Sequence, residues 1–184
     1  MGTVKTKRLS RVLIAVITFI IACIALFVSM SFNLVKTGDR QKTYMLPQSL
    51  KAKVEQDTHG MDIEQIIDYS LTLTASRLRF SRYNDIDMGK ANCVGYAQLC
   101  ASICNEALAA NGVNGHAKPV VGYIESNGIN WCDVLKSVAL KESYKNFVKD
   151  HDFVELVTDS KTYYLDPSIY DVLGKKCLTI KTRQ

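Results

Sequence analysis

The stretch Asn92-Cys93-Val94-Gly95-Tyr96-Ala97-Gln98-Leu99-Cys100-Ala101-Ser102-Ile103-Cys104-Asn105-Glu106-Ala107-Leu108-Ala109-Ala110-Asn111-Gly112 decides the reading of this chain. It opens on an asparagine, a side chain suited to accepting hydrogen bonds from a first helical turn, and closes on Asn-Gly, a helix stop. Between them, apolar and small side chains occur all round the helix rather than along one stripe, so the helix belongs inside the fold. Cys93 falls in the first turn, where unpaired backbone N–H groups and the positive end of the macrodipole favour an anion. A thiol is a useful nucleophile only as the thiolate, so a cysteine at this position is suited to catalysis.

Such a nucleophile needs a base from elsewhere in the fold, and that base needs a group to orient it. Downstream, strand-like segments fall at 119–124, 153–158 and 162–165. Asp159-Ser160-Lys161 supplies turn residues between the last two, which are expected to pair as an antiparallel hairpin. His151 opens the first arm of that hairpin and Asp166 ends the second, so the pairing brings both to one region of the sheet. Upstream, Asp62 is placed to cap a helix over 62–80, with Ile63, Ile66, Ile67, Leu71 and Leu78 at helical spacing. Residues 81–90 read as a polar loop, and 131–149 as charged chain with an inserted helix before the His151 strand.

Five blocks in order carry a resemblance to a known family. They are Asn92-Cys93-Val94-Gly95-Tyr96-Ala97, Leu108-Ala109-Ala110-Asn111-Gly112-Val113, Val120-Val121-Gly122-Tyr123, His151-Asp152-Phe153-Val154-Glu155-Leu156 and Tyr164-Leu165-Asp166-Pro167-Ser168. Together they resemble the transglutaminase-like superfamily over about half the chain, roughly 85–171. The resemblance implies an α+β, papain-like fold: a helix bearing the catalytic cysteine, packed on an antiparallel sheet that carries histidine and aspartate. Cys93, His151 and Asp166 fall on the three catalytic positions. The implied chemistry is acyl transfer through a thioester on a carboxamide or peptide bond, without a cofactor. An oxyanion hole is implied as well, with the Cys93 backbone N–H as one donor and Tyr83 and Asn84 as candidates for the second. Phe153 stands where the family more often has tryptophan.

Three activities fit that expectation. The first is a cysteine peptidase or amidase, the second an acyltransferase that modifies protein amines, and the third a binding module that keeps the fold without the chemistry. The matching partner is a protein, a peptide or a peptidoglycan-type amide.

Net charge is +5, but Lys5, Lys7, Arg8 and Arg11 supply four of those charges and no acid precedes Asp39. The remainder is close to neutral, which excludes the electrostatic footprint of a nucleic-acid partner. From 12 to 35 there is no charged residue. As a helix, that stretch would reach about 36 Å against a hydrocarbon core of about 30 Å. With a basic tail over 1–11 held in the cytoplasm, 12–35 is expected to be a single-pass signal anchor in the membrane. A linker over 36–60 and the catalytic domain over 61–184 would then stand on the periplasmic or extracellular side. Two alternatives are a lipoprotein carrying its lipid on Cys23 and a signal peptide cleaved near Val28-Ser29-Met30-Ser31. Residues 51–60 are also placed to cover the cleft.

The other reactive side chains have simpler expectations. Cys100 and Cys104 read as core. Cys132 and Cys177 are available to pair in an oxidising compartment. No CxxC spacing or Cys/His cluster suggests zinc, so no metal is expected. His59 reads as solvated and His116 as a surface or cleft residue. Asp152 should face away from His151, and Glu155 toward it, either supporting the ring or simply solvated. One of Tyr163 and Tyr164 is expected to flank the cleft, and Trp131 has no assigned role.

Overall fold

A computed structural model of the chain describes residues 16–19, 31–40, 42–141 and 149–182. The chain divides into two units, Met1–Ser31 and Phe32–Gln184. In the first unit, residues 16–19 are helical. The elements of the second are β1 (Asn33–Asp39), α1 (Gln48–Thr58), α2 (Ile63–Arg77), β2 (Arg79–Phe80), β3 (Lys90–Ala91), α3 (Cys93–Ala110) and β4 (Gly115–Ser126). They continue with β5 (Ile129–Asn130), α4 (Trp131–Val138), β6 (His151–Thr158), β7 (Lys161–Leu165), α5 (Pro167–Leu173) and β8 (Leu178–Thr182).

The expected α+β class holds: an antiparallel sheet in the order β1-β4-β6-β7-β8, with β5 added along β4, is packed with helices. Ala117, Val154, Leu156, Tyr163 and Leu165 form one core with α1, α2 and α3. A smaller cluster of Leu34, Val120, Ile124, Phe153, Tyr164 and Cys177 is closed by Phe32, Trp131 and Ile169. Because α3 contacts α1, α2, α5, β4 and β6, it is buried on several faces, with Tyr96, Ala97, Cys100, Ile103, Cys104 and Ala107 fully buried. Asn105 fastens it to the sheet: its amide donates to the Ala117 carbonyl at 2.8 Å, and its carbonyl accepts from the Ala117 N–H at 2.7 Å.

Local signals account for most boundaries. Asp62 forms a capping box, accepting from Glu64 and Gln65 N–H groups while Gln65 accepts from the Asp62 N–H. That helix stops at Arg77, short of the expected 80, because Arg79 and Phe80 pair in parallel with Lys90 and Ala91. The hairpin of β6 and β7 runs antiparallel with Val154 opposite Leu165 and Val157 opposite Thr162.

The stretch read as a linker, 36–60, is built into the fold. β1 pairs along β4 from Asn33↔Glu125 to Asp39↔Val120. On α1, Leu50, Val54 and Thr58 are buried at a spacing of four, turning a largely polar helix onto the core. This stretch therefore belongs to the folded unit and not to a tether, and 51–60 lies in α1 and its C-terminal turn. The partner strand also explains Gly122: a Cβ there would run into the Val35 carbonyl, so only glycine lets β1 come this close.

The anchor expected over 12–35 rests mainly on residues outside those described; the basic tail over 1–11, the Cys23 lipid site and most of the cleavage site near 28–31 lie outside them as well. Its last positions need correcting: Asn33, Leu34 and Val35 are strand, pairing with Glu125, Ile124 and Tyr123. Their backbone groups are satisfied sideways by β4 instead of along a helix. No helix among the described residues is long and apolar enough to cross a membrane.

Candidate active site

The helix that carries Cys93 begins where a cap can form. The Asn92 side chain accepts from the Val94 N–H at 3.1 Å, and the Asn92 N–H is itself held by the Asn84 side-chain oxygen at 2.8 Å. Gly95 lets the 81–92 loop lie against this first turn: a Cβ would stand 2.7 Å from the Ala91 Cβ and 2.9 Å from Asn84 Oδ1. Cys93 is the first helical residue, and its side chain is partly exposed. There its backbone N–H has no partner within the helix. Of the two candidates for the second oxyanion donor, Asn84 is committed through its oxygen to the Asn92 N–H, and Tyr83 is 73% exposed.

The hairpin delivers the other two side chains. His151 Nε2 lies 2.5 Å from Asp166 Oδ2, and Asp166 is wholly buried. The other carboxylate oxygen, Oδ1, caps α5, accepting from the Ser168 N–H at 3.1 Å, the Ser168 hydroxyl at 2.8 Å and the Ile169 N–H at 3.0 Å. Pro167 at the first position of α5 favours that turn. One carboxylate thus joins a strand histidine to a helix start. With Nε2 engaged by Asp166, Nδ1 is the imidazole nitrogen left for the thiol. Cys93 and His151 line one cavity.

Electrostatics follow from burial and pairing. Burial opposes charge on His151, but the Asp166 charge and hydrogen bond, with smaller contributions from Cys93, hold the imidazolium well above its ordinary range. Burial likewise opposes the Asp166 carboxylate. The His151 charge and hydrogen bond outweigh it, together with the Ile169 N–H and Ser168, and hold Asp166 below its ordinary value. The pair is therefore charged in the folded protein near neutral pH.

Two neighbours were invisible in the sequence. Arg40, just past β1, grips buried Asp152 through Nε to Oδ2 at 2.8 Å and Nη2 to Oδ1 at 2.9 Å, and reaches Asp150 at 3.4 Å. Its charge is favoured first by the Asp152 hydrogen bond, against the cost of desolvation, and then by Asp152, Asp150 and Cys93. The only sequence signal for Arg40 was a basic residue in a stretch read as linker. The second neighbour is a cavity of about 160 Å³ lined by Phe80, Cys93, Ile124, Trp131, Cys132, Leu135, Asp150 and His151. Trp131 thereby gains a place, with its buried Nε1 unpartnered among the described residues. Burial raises the Cys132 thiol above its ordinary value, against a hydrogen bond with the Ile124 backbone and the charge of His151.

The remaining candidates lie elsewhere. Glu155 does not support His151; its carboxylate bonds Lys36 at 2.8 Å and Tyr164 at 3.1 Å. Tyr163 and Tyr164 are both buried, one in each core cluster, and neither lines the Cys93 cavity among the described residues. Phe153 is fully buried edge-on to Tyr164, with ring centroids 5.8 Å apart. His116 is exposed and pairs with Val157, six residues along β4 from the Gly122↔His151 pair. At about 3.3 Å per residue that is roughly 20 Å from the cleft. His59 is exposed as well. Cys132 and Cys177 are free thiols, as are Cys93, Cys100 and Cys104. Among the described residues no cluster of three or more His, Cys, Asp or Glu side chains is arranged to hold a metal ion.

Compared with known proteins, the chain matches no family model, no curated protein and no solved structure.

Proposed function

We propose that this protein is a cysteine hydrolase of the transglutaminase-like, papain-like type, a peptidase or amidase with Cys93, His151 and Asp166 as its triad. One observation carries the reading. A cysteine in the first turn of a buried helix lines one cavity with an imidazole whose Nε2 meets a buried carboxylate at 2.5 Å, leaving Nδ1 for the thiol. A binding module has no use for that arrangement, whereas a nucleophile requires it.

In the proposed reaction the Cys93 thiolate attacks the carbonyl carbon of a carboxamide or peptide bond and forms a C–S bond. The oxyanion faces the start of α3, where the Cys93 N–H is free to donate. Collapse breaks the C–N bond as His151 passes its proton to the leaving amine. Water then attacks the thioester, His151 takes up its proton, and the acid leaves with the thiolate restored. Asp166 holds the ring in place and stabilises the imidazolium throughout. Transfer to an amine uses the same thioester and is the second reading. The proposal keeps the substrate classes of a protein, a peptide or a peptidoglycan-type amide, a single-pass N-terminal anchor in the membrane, and action outside the cytoplasm.

The test is alkylation of Cys93 in the full-length chain by iodoacetamide, followed by peptide mapping, beside the His151→Ala variant. At mildly acidic pH the native protein is expected to react at least about ten-fold faster than the variant. Equal rates, or a Cys93 that reacts only after unfolding, would sink the enzyme reading. Release of product from an amide substrate, with and without an added primary amine, then separates hydrolysis from transfer.

A further inference from the structure

Resting on the reading of Cys93 as nucleophile, we infer that the cavity beside it is a subsite for an apolar side chain of leucine to phenylalanine size, next to the scissile carbonyl. The walls come from local structure that the five family-like blocks do not include. Asn127 and Gly128, both at positive φ, turn β4 back onto β5. Asn130 then caps α4, accepting from the Cys132 N–H at 2.9 Å and the Asp133 N–H at 3.4 Å. That cap sets Trp131, Cys132 and Leu135 facing Ile124 of β4 and Phe80 of β2, with Cys93 and His151 completing the lining.

Size and polarity decide the occupant. The cavity holds about 160 Å³. A dry cavity of about 150 Å³ lined by leucine, isoleucine and phenylalanine takes up benzene, so this one accepts a ring or a branched aliphatic group. The indole N–H of Trp131 is buried, so the ring offers carbon to the space. The Cys132 thiol is held protonated by burial, and among the described residues Asp150 is the one carboxylate in the lining. A glutamine side chain seated here would bury an amide against walls that are apolar apart from Asp150 and His151, leaving most of its hydrogen-bonding capacity unmet, and an acidic side chain would meet Asp150. Two of the apolar residues, Phe80 and Leu135, are 47% and 49% exposed, so an apolar side chain would cover surface that now faces water. The subsite thus selects peptides with a large apolar residue at this position over glutaminyl substrates.

The test uses the full-length chain and three reagents read on the Cys93 peptide: iodoacetamide, N-acetyl-glycine chloromethyl ketone and N-acetyl-leucine chloromethyl ketone. The leucyl reagent is expected to react about ten- to a hundred-fold faster than the glycyl one. In Leu135→Asn, a half-exposed position that the fold tolerates, the leucyl-to-glycyl ratio is expected to fall several-fold. Taking the ratio on one thiol cancels any change in its intrinsic reactivity. If iodoacetamide modifies Cys93 but the ratio is near one, or the ratio survives Leu135→Asn, the subsite is overturned while the nucleophile stands. If no reagent modifies Cys93 in the folded protein, the nucleophile falls and the subsite with it.

Discussion

Replacing Asp166 separates two tasks performed by one buried carboxylate. Its Oδ1 accepts three hydrogen bonds that start α5, and its Oδ2 meets His151 at 2.5 Å. Asp166→Ala removes both. Losing a helix cap costs about 1 kcal/mol. Removing one partner of a buried ion pair costs about 3–5 kcal/mol, taken at its lower end because an unpaired His151 sheds its proton. The sum is about 4 kcal/mol, and at roughly 2–4 °C per kcal/mol for a chain of this size the Tm falls by about 8–16 °C. Asp166→Asn keeps an oxygen for the cap and loses only the charge, so it should cost about half as much.

The pH dependence carries its own sign. His151 is raised above its ordinary 6.5, so its contribution is complete below that value and is lost as pH rises through the higher folded value. Asp166 is lowered from its ordinary 3.8, so its contribution is present above 3.8 and is lost as pH falls through the lower folded value. The gap between the native chain and Asp166→Asn should therefore be widest between 3.8 and 6.5 and should narrow on the alkaline side. Urea unfolding of the full chain, near pH 5 and near pH 9, measures this. The reasoning is refuted if Asp166→Ala stays within about 1 kcal/mol of native near pH 5, or if the gap widens in alkali.

Two further outcomes follow from the geometry around the site. Arg40→Ala strips the bidentate partner from Asp152, which is 1% exposed, while the arginine side chain is itself 36% exposed. Screening trims the loss to about 2 kcal/mol in urea unfolding, and Arg40→Lys should recover only part of it because an ammonium lacks the planar fork. Gly95→Ala sets a methyl 2.7 Å from the Ala91 Cβ and 2.9 Å from Asn84 Oδ1, displacing the loop that holds the start of α3. It should cost about 1–3 kcal/mol and slow the alkylation of Cys93, both measurable on one preparation.

What the sequence alone determined here is local in range. The Asn92 and Asp62 caps, the Asn111-Gly112 stop and the hairpin around Asp159-Ser160 each depend on residues within a few positions of one another, so their chemistry is legible along the chain. The His151–Asp166 contact spans only that hairpin, and for this reason its two residues could be named before any coordinates. What lay beyond the sequence is long in range. Leu34 and Val35 read as the tail of an apolar run because an edge strand that pairs with β4 and buries Leu34 is as apolar as the end of a membrane helix. The apolar positions Leu50 and Val54 were too sparse to announce α1 until the Cys93 helix was there to receive them. Arg40 meets Asp152 across 112 residues, and Phe80, Ile124 and Leu135 come from three separate elements to line one cavity with Cys93. Those contacts depend on strand order and β-sheet register, which only the folded chain selects, because pairing energy is shared among many residues and no single position encodes its partner.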